Sequence, residues 1–588
     1  VTAPRAGLAR GRLRLLAGLL AIVAGLAACS GVPSSSQPQV VRSVGGDEST
    51  AAAPETPAPG ADPRSIVEGF LAANVSTDIR HTDARQYLTT DAQRRWQDGS
   101  ATIVDDVRPG LPDASGDVTV TAQRVGTVTA DGIYTSALRD PNGGDTDPIT
   151  FTFGMIKNAD GQWRIDQLAP GVIVSEQDFE SAYRQYPLYF FDTTEQVLVP
   201  DMRYTATAGQ SLASFLLAQL VAGPRPELSA MISELPDQPA ASNPTVTMGS
   251  PTEIDLVSIR QLPSATLTRL AAQLAYTMDS VSGLRTMRIV EAGAVVDLAG
   301  HPNEFSAADF PGYVSDSPGD SEVLFVRAGA ILSSTDGKAL PGNAGTGELG
   351  LTSVARSSVA PDDLAAVGVQ GGMAQLYTGT EGSQLTAVAQ VRAPQLTRPT
   401  WASTWGEVWV SDGANLWRVA SNGTISTVSI SARPGSATGT IVALRMSRDG
   451  SRLAVIYDIA GVSQALWVGT VVRNGSDVRV EQLTQITPND LKLTDVAWSD
   501  EARLWIVGQP LAGDFGVWTV QVDGSVLSPR STTGLPPADP ANITITAAPG
   551  QFAWISVGNA VWEQRGAGWV SAIGDAGTTP GLSPAYQD

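Results

Sequence analysis

Cysteine occurs once in 588 residues, as Cys29, and histidine twice, as His81 and His301. A single thiol excludes an internal disulfide framework, so a chain of this length must hold its fold by core burial. The two histidines are far apart and lack Cys or His partners at metal-ligand spacing, which excludes the usual zinc signatures. Neither a G-x-S-x-G elbow nor a G-x-x-x-x-G-K-[ST] loop occurs, so the corresponding hydrolase and phosphate-binding chemistries have no motif here. Basic charge is also scarce. There are 38 Lys and Arg against 59 Asp and Glu, a net charge of −21. Such an acidic balance argues against a nucleic-acid partner and against broad adsorption to anionic lipid. Spanning a bilayer takes about 20 apolar residues, and no run beyond Ala28 reaches that length.

What is present is most distinctive at the start. Arg5, Arg10, Arg12 and Arg14 precede an apolar run from Leu15 to Leu26, and no acidic residue occurs before Cys29. A basic start, an apolar middle and a small-residue exit are the layout of a secretory signal peptide, read here as residues 1–28. The exit, Leu26-Ala27-Ala28-Cys29, resembles the lipobox of bacterial lipoproteins. That resemblance implies recognition of Leu26, Ala27 and Ala28 by a signal peptidase, cleavage before Cys29, and a diacylglyceryl group on the Cys29 sulfur. Two or more acyl chains anchor stably where one gives marginal binding. Residues 29–62 follow as a lipidated cysteine and a Ser-, Pro-, Ala- and Gly-rich tether without apolar periodicity. A flexible chain of that length spans roughly 30 Å.

Folded structure is expected from Pro63. "PRSIVEGFLAAN" has apolar residues at helical spacing behind a first-turn proline, and "DARQYLTTDAQRRWQ" reads as a second helix. From Asp117 the period becomes two, and four segments read as a strand meander. Helices before an antiparallel sheet predict an α+β domain over 63–186, whose order resembles the NTF2-like domains. Next, "YPLYFFDTTEQVLVPDMRYTA" reads as strand, turn and strand. "AGQSLASFLLAQLVAGP" is a helix stopped by Gly223-Pro224, and "SATLTRLAAQLAYTMDS" is a helix opened by Ser264 as N-cap. With the closing strands of "LRTMRIVEAGAVVDL", residues 187–310 resemble the GerMN domain.

The remaining half, 311–588, repeats. Anchor positions Arg356, Trp401, Met446, Trp498 and Ala547 recur at intervals of 45 to 52 residues. Each is followed by an apolar-aromatic pair before a turn, such as Leu376-Tyr377, Leu466-Trp467 and Val561-Trp562. A period near 45 with four short strands per unit predicts an all-β propeller, here of five or six blades. "EVLFVRAGAILSSTDG" is the same hairpin without its opening strand, which the stretch near "GLSPAY" can supply to close the ring. The recurring tryptophans read as blade packing.

No catalytic constellation stands out, and neither a metal nor a cofactor is expected. His81 and His301 read as structural or surface residues. "DPNGGDTD", Asp140 to Asp147, clusters carboxylates without EF-hand spacing and reads as a solvated hairpin loop. The succession of lipobox, tether, α+β domain, GerMN-like domain and propeller resembles the LpqB lipoproteins of actinobacteria. The resemblance implies a protein on the outer face of the cell membrane that is no enzyme. It would associate with the extracellular domain of the sensor kinase MtrB and influence the MtrA–MtrB system, hence cell-wall homeostasis and division. Two other classes stay open: a module that binds cell-wall glycans, and a propeller hydrolase with paired carboxylates.

Overall fold

The N-terminal helix forms where its cap and its apolar spacing coincide. Asp62 accepts a hydrogen bond from the Ser65 amide at 3.1 Å, Pro63 occupies the first turn, and Pro63–Ala73 buries Ile66, Val67 and Phe70. These side chains pack on a sheet whose order is Trp163–Gln167, Pro148–Lys157, Val118–Val128, Ala101–Pro109 and Val172–Ser175. Tyr134–Ser136 pairs with the end of Val118–Val128. The four segments read as a meander pair antiparallel, with Val118–Val128 taking both Tyr134–Ser136 and Pro148–Lys157, while the last strand, outside that reading, runs parallel to Ala101–Val104 and makes the sheet mixed. Ala101–Pro109 escapes a period-two reading because Asp105, Asp106 and Arg108 break it; Asp106 has φ +51° and the register shifts there. The second helix also differs from expectation. Thr82–Arg85 and Thr90–Arg95 are separate, and Leu88 between them bridges to Ile165. Thr89 starts the second piece by accepting from the Ala92 amide at 3.1 Å.

These are features of a computed structural model. It describes residues 56–588 apart from 77, 79, 140–146, 234–243, 314–321, 432–438, 460–462, 512, 539–542 and 574–578.

The middle region opens with the hairpin of Arg184–Phe191 and Leu198–Thr205. The helix Gly209–Ala222 follows and ends at Gly223, whose φ of +99° suits glycine. A small sheet runs in the order Ala294–Val295, Met287–Glu291, Thr252–Asp255, Thr245–Thr247. Its central pair is parallel, so the helix Ser264–Met278 is the crossover between them. Ser264 is that helix's first residue and not its cap; the cap position holds Pro263. Leu216, Leu270, Leu274 and Phe190 lie in one apolar cluster between hairpin, helices and sheet.

The C-terminal half is a propeller of six blades among the described residues. Five are consecutive units beginning at Leu351, Thr400, Thr440, Leu491 and Thr544. The other pairs Leu582–Ala585 with Leu324–Arg327, which pairs with Ala330–Ser333, so the end of the sequence closes the ring as expected. Closure shows in the core as well. Six apolar clusters each join neighbouring blades, and the sixth joins Trp554 and Val561 to Phe325 and Leu332. The repeated tryptophans are packing elements with one polar tie. Trp401 Nε1 donates to the Ala355 carbonyl at 3.3 Å and Trp498 Nε1 to the Arg445 carbonyl at 3.1 Å, each reaching the preceding blade. The turn Ser447–Gly450 closes by a 2.8 Å bond from the Gly450 amide to the Ser447 carbonyl, with Gly450 at φ +69°. The chain is thus multidomain, with α+β regions first and a propeller after.

Candidate functional site

Leu26, Ala27, Ala28 and Cys29 lie outside the described residues, as does most of the Asp140–Asp147 loop. Asp147 itself accepts from Arg124 Nε at 2.6 Å. Among the described residues no cluster of three or more His, Cys, Asp or Glu is placed to hold a metal ion. His81, at φ +45°, is buried with Nδ1 3.3 Å from Asp98, and His301 stacks on Phe310 at 5.0 Å. The structure does not bring the two histidines together; each sits in its own apolar cluster's neighbourhood. Among the described residues no helix is long and apolar enough to cross a membrane.

The structure instead gathers charge at two buried centres and one seam. Arginine supplies most of it, because Lys157, Lys338 and Lys492 are the only lysines in the sequence. A planar guanidinium satisfies carboxylates and carbonyls together and tolerates burial better than an ammonium.

The first centre is Asp201, which is fully buried in the middle hairpin. It accepts from Arg203 Nη1 at 2.5 Å, Arg225 Nε at 2.6 Å and the Arg225 amide at 2.8 Å. Burial alone raises a carboxyl pKa, but Arg225 and Arg203 outweigh it and hold Asp201 below the usual range.

The second centre lies on the propeller axis. Asp495 of the fifth blade accepts from Arg398 of the third at 2.5 Å, Arg445 of the fourth at 3.3 Å, and the Ile545 amide of the sixth at 2.9 Å. Arg398 also donates to the Ile545 carbonyl at 3.2 Å and the Pro584 carbonyl at 2.6 Å. Burial, with Arg445 nearby, lowers its pKa to about 10. Residues 584–588 run through this centre. The Tyr586 amide donates to Thr546 Oγ1 at 3.1 Å, Arg448 Nη2 donates to the Gln587 carbonyl at 2.8 Å, and the Asp588 amide donates to the Arg356 carbonyl at 2.9 Å. Asp588 Oδ2 accepts from the Trp401 amide at 3.0 Å. Its main-chain oxygen accepts from Ser403 Oγ at 2.7 Å and the Ser358 amide at 3.1 Å. Burial raises the Asp588 pKa.

The seam joins all three regions at Tyr204. Its ring sits 5.9 Å from Tyr134 and 5.3 Å from Phe179 in the N-terminal core, and its hydroxyl pairs with Ser525 of the fifth blade. Burial, with Asp523 beside it, pushes its pKa far up. Tyr189 O–H donates to Glu501 at 2.6 Å, and Arg452 of the fourth blade donates to the Pro200 carbonyl of the hairpin. A cavity of about 80 Å³ at this junction is lined by Tyr134, Arg225, Glu227, Arg452 and Asp523 among others. No motif or periodicity in the sequence marks the residues of this seam. Arg448 lies in the turn Ser447–Gly450 and Arg452 begins the strand after it, and no local pattern tells where their side chains reach.

A binding scaffold can be built this way, with long-range ion pairs fixing the faces it presents. Two family models match: "Lipoprotein LpqB, N-terminal domain" over residues 56–180 and "Lipoprotein LpqB beta-propeller domain" over 326–586. Lipoprotein LpqB of Nocardia farcinica is 30% identical over 587 residues, covering 93% of each chain. That of Mycolicibacterium smegmatis is 31% identical, covering 76% of this chain and 79% of its own. Among solved structures, TolB from Acinetobacter baumannii is similar at TM-score 0.33 and 14% identity, over 45% of this chain and 65% of its own. With a relative 30% identical along nearly its whole length and matches to both family domains, the chain belongs to the family of LpqB lipoproteins.

Proposed function

We propose that the chain is a lipid-anchored protein on the extracytoplasmic face of the cell membrane that binds the extracellular domain of the sensor kinase MtrB. Through that contact it modulates the MtrA–MtrB system and so cell-wall homeostasis and division, acting by binding and not by catalysis. The observation that carries this reading is the Tyr204 seam, which ties the α+β regions and the propeller by hydrogen bonds and shared aromatic packing. A body fastened in this way offers fixed faces to a neighbour. The Leu26–Cys29 sequence and the family's lipoprotein character support anchoring through Cys29. Confinement to a membrane raises effective concentration to the order of mM, so a weak contact suffices. A ligand shifts a two-state partner only through its differential affinity for the states, and that is the mechanism assigned here.

The test has two arms. Cys29→Ser should move the protein from the membrane to the soluble fraction. Photo-crosslinking residues at Val257 in the middle region and at Leu511 in the propeller, both exposed, should capture the kinase in cells. Capture of cell-wall enzymes alone, with no sensor kinase from either face, would overturn the reading.

A further inference from the structure

The innermost strand of each blade lines the propeller axis, and the segment 584–588 is bonded to residues of four blades there besides its own. Its contacts are unusual in kind. Arg398, Thr546, Arg448, Arg356, Ser403 and Ser358 all hold main-chain atoms of this segment. Gln587 sits parallel beside Arg356 as an added strand residue. Two side chains of the segment are also held: Tyr586 is buried in the apolar cluster of the first and sixth blades and donates its hydroxyl to the Phe552 carbonyl at 2.8 Å, and the Asp588 carboxylate takes the Trp401 amide and lies in the field of Arg445 and Arg398. Those two guanidinium groups are shared by Asp495 and Asp588, so charge at the axis balances only while a second carboxylate occupies the place of Asp588.

Main-chain pairing along a strand edge, with pockets for alternate side chains such as Tyr586 and Asp588, is how proteins hold extended peptides.

We propose that the propeller axis is a binding site for an extended, carboxylate-bearing peptide segment of a partner protein, and that residues 586–588 occupy it as the chain's own tethered ligand. Leu582–Ala585 stays in the first blade as its closing strand, while Tyr586, Gln587 and Asp588 yield to the incoming segment. The proposal does not depend on which membrane protein is the partner.

The probe is a labelled peptide of the sequence Ser-Pro-Ala-Tyr-Gln-Asp, followed by fluorescence anisotropy against two full chains, one intact and one lacking residues 586–588. An occupied site lowers apparent affinity by the fraction that is open, so the shortened chain should bind at least about tenfold tighter. Arg448→Ala in the shortened chain, or Asn for Asp in the peptide, should weaken binding several-fold. A shortened chain that keeps its circular dichroism spectrum and shows no saturable binding would overturn the proposal. So would loss of its fold, because the segment would then be core and not ligand. Hydrogen exchange on the intact chain gives an independent check. The Trp401 amide, held by Asp588, should exchange at least about tenfold faster than amides of the strand Arg452–Ile459, as local opening requires. Equal protection at both places would also overturn it.

Discussion

Asp201 and Asp495 have the same company: two guanidinium groups and one main-chain amide each. They differ in how far along the chain that company comes from. The arginines around Asp201 are 2 and 24 residues away, within the middle region; those around Asp495 are 97 and 50 away, on two other blades. One centre therefore fastens a hairpin to the helix end after it, and the other holds a ring shut. The lesson is that a buried ion pair takes its meaning from what its partners belong to. Its direct contribution to stability is small or even negative against an apolar substitute, but breaking it by removing one partner is costly.

The comparison breaks most sharply at the axis. Asp495→Ala strands two buried arginines that six packed blades keep from relaxing, and should cost about 4 kcal/mol. The loss should appear as a lowered denaturant midpoint for the whole propeller, followed by its tryptophan fluorescence. Asp201→Ala should cost about 3 kcal/mol, because the helix end at Gly223 can fray and let Arg225 reach water. Hydrogen exchange should localise that change to the hairpin and to Gly209–Ala222, leaving the blades protected. Tyr204→Phe keeps the aromatic packing and removes the hydroxyl bonds to Ser525 and Asp523. It should cost about 1 kcal/mol and loosen the seam more than either centre. Acid gives the smallest effect and separates the centres by sign. The folded-state pKa of Asp201 is depressed, so its stabilisation is present above the unfolded value near 3.8 and is lost as pH falls through the folded one. Asp588 is the reverse. Its folded-state pKa is raised, so its ionised form is penalised above that value and the penalty fades as pH falls toward 3.8. Mild acid, before Asp201 begins to titrate, should therefore raise the protection of the Trp401 amide relative to its intrinsic exchange rate at the same pH.

The sequence makes blades visible because each blade is local: four short strands with tight turns, repeated. Even the closing strand at Leu582–Ala585 is foreshadowed by a hairpin, Leu324–Ser333, that lacks its opening partner. Legibility fails where local signals conflict. Asp105 and Asp106 hide the strand Ala101–Pro109, and a continuous helical pattern at Asp83 conceals the break at Leu88, where pairing with Ile165 wins over helix propensity. The axis was not legible for a different reason. Arg398 meets Pro584 across 186 residues and Arg448 meets Gln587 across 139, and no periodicity announces such meetings. The lipobox-like sequence Leu26–Cys29 is the opposite case, a resemblance written entirely in adjacent residues.

Arg448, inside the turn Ser447–Gly450, and Arg452, the first residue of the strand after it, stand four positions apart. Arg448 grips the Gln587 carbonyl on the axis, and Arg452 grips the Pro200 carbonyl of a different region. A tight turn thus stands between a hold on the axis and a hold on the middle region, and a shift of either carbonyl is met by the same few residues of backbone.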